Sequence, residues 1–203
     1  MTKVFLVRHG QTVWNKEQRY QGHSDTALSE EGLKQAELTA VRLDRENLAA
    51  VYASDLSRAA VTAEIIARHH KETAVVVKVP ELREINFGQW EGLTYEQINQ
   101  RWPGKLERLY RAEEDDVPGG ESFHGLQTRA VRAIERLVNR HQGQTIAIVS
   151  HGGTIRTIIA AAMGLNLKRL WNIRQDNTAV NIIEYYPGMA VVGLVNDIHH
   201  LRR

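Results

Sequence analysis

Two short runs constrain this chain more than anything else in it: "VFLVRHG" at 4–10 and "IAIVSHGG" at 147–153. Each is nearly continuous in apolar residues over the length of a strand. Such a run reads as a strand covered on both faces, not as one side of a solvated sheet. The strands themselves are "KVFLVR" (3–8) and "TIAIVS" (145–150), and the stretches 48–54, 74–79, 179–186 and 190–196 also have strand character. Helical patterns separate them. Ser29 is placed to cap a helix whose first turn holds Glu30 and Glu31, where the helix dipole favours acids, and Leu33, Ala36, Ala40 and Leu43 then recur at helical spacing. "SRAAVTAEIIARHH" (57–70), "TRAVRAIERLVNRH" (128–141) and "TIRTIIAAAMG" (154–164) read the same way, the last stopping at Gly164, and "YPGM" (186–189) forms a hairpin turn. The alternation predicts an α/β fold: a three-layer sandwich with a mostly parallel sheet and an antiparallel C-terminal edge strand. No repeat or flexible linker interrupts it, so one domain is expected over 1–203. Residues from about 85 to 125, with "WPG", "EEDD" and "PGG", fit no simple element and read as an insertion over one end of the sheet, a place where lids are found.

Composition narrows the function classes. A chain of 203 residues, 42% hydrophobic and 25% charged, buries a substantial core without staples. Lys+Arg 26 against Asp+Glu 24 leaves a net charge of +2, too little to argue for a nucleic-acid or membrane partner. The absence of cysteine excludes disulfides, thiolate zinc sites and a cysteine nucleophile. No stretch reaches the ~20 apolar residues of a membrane span, and the N-terminal apolar run is too short for a secretory signal. A cytoplasmic location is expected, with a homodimer left open.

The chemistry lies at the strand ends, where ligands bind in open α/β sheets. His9 and His151 both stand there, and Gly10 and Gly152 beside them let backbone approach a ligand closely. Arg8 next to His9 favours the neutral imidazole, which is a nucleophile, while its own guanidinium can hold an anion. Arg58 falls in the first turn of the helix after strand 48–54, where a helix N-terminus already attracts anions. Singly, each of these residues reads as structural or solvated; together Arg8, His9, Arg58 and His151 make a cationic pocket suited to a phosphoryl group. A leaving alcohol needs a proton, and "PELREINFGQWEG" (80–92) offers Glu81, Glu84 and Glu91. A carboxyl held beside a phosphate keeps its proton because of the like charge, but spacing does not choose among the three. No GxxxxGK[ST], HExxH or GxSxG occurs, nor a GxGxxG after a strand. The pairs His69-His70 and His199-His200, with His124 and His141, read as solvated, whereas His23 in "QGHSDT" stays open because it lies near the first motif.

"LVRHGQTVWN" resembles the RHG signature of the histidine phosphatase superfamily, also called phosphoglycerate-mutase-like. "SDLSRAAVTAE", "LREINFGQWEG" and "IVSHGG" match its later motifs in order, so the resemblance covers nearly the whole chain. It implies that His9 is the nucleophile, forming a phosphohistidine, and that Arg8, Arg58 and His151 surround the phosphate. It implies Glu84 as the general acid and Asn15, Gln21 and Gly22 as substrate contacts alongside Gly152, with no metal or cofactor. The reaction implied is a two-step displacement, attack by His9 and then hydrolysis. "WNIRQDNTAVNIIEYY" and "LVNDIHHL" resemble bacterial α-ribazole phosphatases of cobalamin nucleotide-loop assembly, which implies α-ribazole 5′-phosphate as the small phosphorylated metabolite. Mutases of the family carry a basic cluster after the "FG" motif, and "YEQINQRWPGKLERLY" has no paired arginines; "AEEDDVP" (112–118) would repel a phosphoglycerate if it faced the pocket. Trp90, Trp102 and Tyr110 would suit a neutral or aromatic substrate body unless they form the insertion's own core. A broad-specificity phosphatase, a cofactor-dependent phosphoglycerate mutase and a non-catalytic phosphate-binding module are the alternatives.

Overall fold

The computed structural model describes residues 1–70, 75–111 and 117–202. Its sheet is built around β1 (Thr2–Arg8), which pairs in parallel with β4 (Thr145–Ser150) and antiparallel with β5 (Val180–Tyr186). The strand order is β3 (Val76–Lys78), β2 (Leu48–Ala53), β4, β1, β5 and β6 (Met189–Asp197). The first four run parallel, and β5 and β6 form the antiparallel hairpin predicted at "YPGM". The apolar runs are continuous because both sheet faces are covered. Val4, Leu6, Ile146 and Ile148 point into one core, and Phe5, Val7, Ala147 and Val149 into the other.

Helices α2 (Glu30–Leu43) and α3 (Ser57–Ala67) cover the second face, α6 (Phe123–Arg140) and α7 (Gly152–Ala162) the first. Ser29 caps α2 as expected, its hydroxyl accepting the Gly32 N–H at 3.0 Å. Leu33 is exposed, against the predicted stripe, because the buried position beside it belongs to Gly32. A Cβ on Gly10 would lie 2.4 Å from the Gly32 carbonyl oxygen, so the start of α2 rests directly on the backbone just after His9. Helix α1 (Val13–Lys16) has no apolar periodicity; a reciprocal cap between Thr12 and Asn15 makes it.

Three other expectations change. Strand 74–79 shrinks to the edge strand β3, whose Val77 is exposed like Val75 just before it, and residue 74 lies outside the described residues. Helix α6 begins at Phe123 because Ser122 caps it, its hydroxyl accepting the Gly125 N–H at 3.0 Å. His141 is not simply solvated, since its Nε2 meets the Tyr52 hydroxyl at 2.7 Å.

The 85–125 region holds a 3₁₀ turn (Gly88–Trp90), α4 (Tyr95–Arg101) and α5 (Lys105–Tyr110), pieces too short for periodicity to reveal. Their apolar residues Trp90, Ile98, Leu106 and Leu109 join the core that contains Leu6 and Ile148. Trp90 is fully buried and packs 6.4 Å from the Trp102 ring, so these two rings are core and not a substrate platform. Trp90→Ala is therefore expected to cost about 3–5 kcal/mol in urea unfolding; a loss below ~1 kcal/mol would contradict this packing.

Candidate active site

Register brings the two histidines together. Arg8 lies opposite Ser150 across β1 and β4, so the next residues, His9 and His151, emerge side by side with ring centroids 5.1 Å apart. His9 Nδ1 is 2.7 Å from the Gly10 carbonyl oxygen. Only an N–H can be placed there, so the proton sits on Nδ1 and Nε2 keeps its lone pair. Burial, then Arg58, then Arg8 push His9 well below the ordinary imidazole range. Arg8, the neighbour visible in the sequence, thus weighs less than either burial or Arg58. His151 is pushed down in the same way, first by burial and then by Arg58.

Buried donors surround the pair. Arg58 gives Nη1 to the Ser24 carbonyl at 2.9 Å and Nη2 to the Gly22 carbonyl at 2.7 Å. Arg8 gives Nη1 to the Gln175 carbonyl at 2.6 Å, and burial together with Arg156 lowers it to about 10, so it remains a cation at neutral pH. Among the described residues, Nε of both arginines and both ring nitrogens of His151 have no protein partner. Buried polar groups without partners call for an explanation, and four such atoms gathered around one cleft are placed to receive an anion. The Oδ1 of Asn15 accepts from Thr12 N and Asn177 Nδ2, and the Oε1 of Gln21 accepts from Thr12 and Thr26. The NH₂ groups of Asn15 and Gln21 are thereby left as donors.

Of the three glutamates, Glu84 alone reaches the cleft. Its carboxylate accepts N–H groups from Ile85, Gly153 and Thr154 at 2.9–3.1 Å, two of them at the start of α7. A Cβ on Gly153 would stand 2.5 Å from Glu84 Oε1, which is why that position is glycine. The backbone leading to Glu84 is clamped throughout. Ser150 Oγ holds the Leu82 carbonyl, Thr154 Oγ1 that of Arg83, and Arg129 those of Glu81, Arg83 and Glu84. His23, left open by the sequence, donates Nε2 to the Glu84 carbonyl at 2.9 Å. Glu81 pairs instead with Arg136, and Glu91 accepts from His23 and Ser24, shaping the loop that holds Arg58.

These residues open on a cleft of about 340 Å³. Arg8, His9, Asn15, Gln21, Gly22, Arg58, Glu84 and Gly152 line it, while His151 is fully buried against the His9 ring. Tyr110 lines it too, hydrogen-bonded to the Tyr20 hydroxyl and 4.5 Å from the Trp171 ring. The acidic residues 113–116 lie outside the described residues. Sequence reasoning missed Arg156, Trp171 and Asn177. The signal for Arg156 was its i+4 spacing from Gly152 on one helix face; Trp171 and Asn177 stand in the "WNIRQDN" stretch. Among the described residues, no cluster of three or more His, Asp and Glu could hold a metal ion, and no helix is long and apolar enough to cross a membrane.

Neighbouring parallel strands that end in two neutral histidines, ringed by buried arginines and faced by one carboxyl, define a phosphoryl-handling enzyme. The chain belongs to the histidine phosphatase superfamily (branch 1), which matches residues 4–198, and it is a phosphatase of that superfamily. It is 34% identical to phosphoserine phosphatase 1 of Hydrogenobacter thermophilus over 202 residues, spanning 99% of this chain and 95% of that one. It is also 34% identical to a metal-independent phosphoserine phosphatase of Arabidopsis thaliana, spanning 99% and 84%. Among solved structures, Bacillus stearothermophilus YhfR superposes with a TM-score of 0.94 at 36% identity over 100% of both chains. An Escherichia coli protein provisionally named an α-ribazole-5′-P phosphatase superposes at 0.86 and 28% identity, over 97% and 98%. The finer likeness to α-ribazole phosphatases is therefore matched by one more distant structure, while two relatives at 34% identity carry the name phosphoserine phosphatase and one at 35%, from Arabidopsis thaliana, the name phosphoglycerate mutase-like protein 4.

The buried imidazoles give stability a pH dependence. His9 and His151 are held neutral in the folded chain, whereas the unfolded chain protonates each near 6.5. Below that pH the unfolded state binds more protons, so stability is complete above about pH 7 and falls on acidification. Each imidazole adds a slope of up to about 1.4 kcal/mol per pH unit; His70 and His200, also lowered by burial, act in the same direction. Urea unfolding is expected to show a loss of at least ~2 kcal/mol between about pH 7 and 5, and stability that is flat or rising over that range would contradict it.

Proposed function

We propose that this protein hydrolyses small phosphomonoesters through a phosphohistidine on His9, with Glu84 acting first as acid and then as base. The observation that carries the reading is the lone pair of His9 Nε2, fixed by the Nδ1 hydrogen bond, in a cleft lined by Arg8, Arg58 and Glu84. In the first step Nε2 bonds to phosphorus, the P–O ester bond breaks, and the departing oxygen takes the proton of Glu84. In the second, Glu84 removes a proton from water, whose oxygen displaces Nε2 and releases inorganic phosphate. Arg8, Arg58 and His151 stabilise the charge that gathers on the equatorial oxygens, the kind of contribution that is usually largest. The chain's own residues supply each role, so the reaction is proposed to run without metal.

For the substrate, the names of the two curated relatives and a cleft of about 340 Å³ favour phosphoserine or an ester of similar size. α-Ribazole 5′-phosphate is the second reading, favoured by the aromatic wall of Tyr20, Tyr110 and Trp171, which would stack on a heterocycle. Phosphate release from phosphoserine, α-ribazole 5′-phosphate and 3-phosphoglycerate, measured side by side, decides between them. The expected order puts phosphoserine first, and interconversion of phosphoglycerates faster than phosphate release would overturn the hydrolase reading. Glu84→Gln is expected to slow alkyl phosphates by about 10²–10⁴-fold and p-nitrophenyl phosphate far less, because nitrophenolate leaves largely unaided. Equal losses on both would place the acid elsewhere.

A further inference from the structure

The cleft holds one more cation than a phosphoryl group needs. Arg156 lies one turn along α7 from Gly152, and a Cβ on Gly152 would stand 3.1 Å from Arg156 Nη1 and 3.4 Å from Arg8 Nε. The two guanidinium groups therefore flank the bare backbone of Gly152. A single segment steers both: the Ile173 carbonyl accepts Arg156 Nε at 2.7 Å, and the Gln175 carbonyl accepts Arg8 Nη1 at 2.6 Å. Trp171 lies against the Arg156 guanidinium, 5.2 Å from ring centroid to Cζ. Stacking of this kind leaves the in-plane N–H groups free to donate. Among the described residues, no carboxylate comes within ion-pair distance of Arg156. Arg19, the other arginine on the cleft wall, is already matched by Glu17 at 2.6 Å.

We propose that Arg156 is a substrate-binding residue that recognises a carboxylate on the body of the substrate, so that the cleft takes two anions on one short molecule. The proposal rests on the phosphomonoesterase reading and adds the specificity determinant to it. Two like charges packed side by side under burial disfavour each other; burial pushes both arginines down, with the Glu84 carboxylate opposing it. One phosphoryl group is already met by Arg8, Arg58 and His151. A carboxylate held by the planar fork of Arg156 would answer the second charge with matched geometry. Tyr110 and Trp171 also line the cleft, their rings in edge contact at 4.5 Å.

The test is a cycle on enzyme and substrate together. O-Phosphoserine and O-phosphoethanolamine differ only in the carboxylate; each is given to the wild type, Arg156→Met and Arg156→Lys. Arg156→Met is expected to lower kcat/KM for phosphoserine by about 100-fold, chiefly through KM, and to stay within about 3-fold of wild type on phosphoethanolamine. Arg156→Lys, which keeps the charge and loses the fork, is expected between the two on phosphoserine. Retained turnover of phosphoethanolamine shows that the variant is folded. Equal losses on both esters in both variants would overturn the proposal, leaving Arg156 a phosphate ligand or a structural residue. No loss on either ester would overturn it as well. A wild type that releases phosphate from neither ester would sink the phosphomonoesterase reading itself, a different failure from either of these.

Discussion

The parallel pairing of β1 with β4 is the constraint on which the rest of the molecule depends. Six residue pairs in register, from Lys3–Thr145 to Arg8–Ser150, make both strands end at the same level. His9 and His151 can then share one wall with their rings in contact. Beyond each strand end, the chain's path is fixed by how closely backbone must approach. Gly10 lets the start of α2 rest on the chain behind His9, and Gly153 lets the start of α7 receive the Glu84 carboxylate. A side chain at either place would move a site residue. The glycines are thus part of the site's geometry, beyond the freedom that the sequence suggests for them.

Electrostatically, the site is built to stay unsatisfied. Its arginines are oriented almost entirely by backbone carbonyls: Arg58 by Gly22 and Ser24, Arg8 by Gln175, Arg156 by Ile173. A carbonyl fixes direction without cancelling charge, so the positive potential remains for the ligand. Ion pairs stand one layer further out, where Arg129 meets Glu121 and Arg83 meets Asp55. There they stiffen the segment that carries Glu84. Holding several cations together under burial costs stability, the usual expense of a preorganised charge-stabilising site.

How much of this was legible in the sequence depends on the length of the signal. β1 and β4 could be read because burial on both faces leaves an unbroken apolar run, and their His-Gly ends pointed to the cleft. Arg58 could be read from its place at a helix start. Glu84 was one of three candidates until the family resemblance chose it, since its distinction from Glu81 and Glu91 is tertiary: only its carboxylate meets the start of α7. Helices α4 and α5 were invisible because each spans about two turns or fewer, and "AVVVKV" misled because an edge strand can expose valines. The tryptophans of the 85–125 region carried no sign of which way they face. Trp171 and Asn177 stood in a stretch used only for likeness to one subfamily, yet Trp171 lines the cleft and Asn177 donates to the His9 carbonyl and to Asn15.

His9 is proposed to carry the phosphoryl group, and on Nε2, because Nδ1 is committed to the Gly10 carbonyl. Quenching the enzyme during turnover of a phosphomonoester under alkaline conditions, followed by peptide mass spectrometry and ³¹P NMR, tests it most directly. The predicted result is one alkali-stable, acid-labile phosphoryl group on the peptide that contains His9, bonded at Nε2 and absent from His9→Ala. Phosphate on a serine or aspartate, attachment at Nδ1, or turnover that persists in His9→Ala would contradict it.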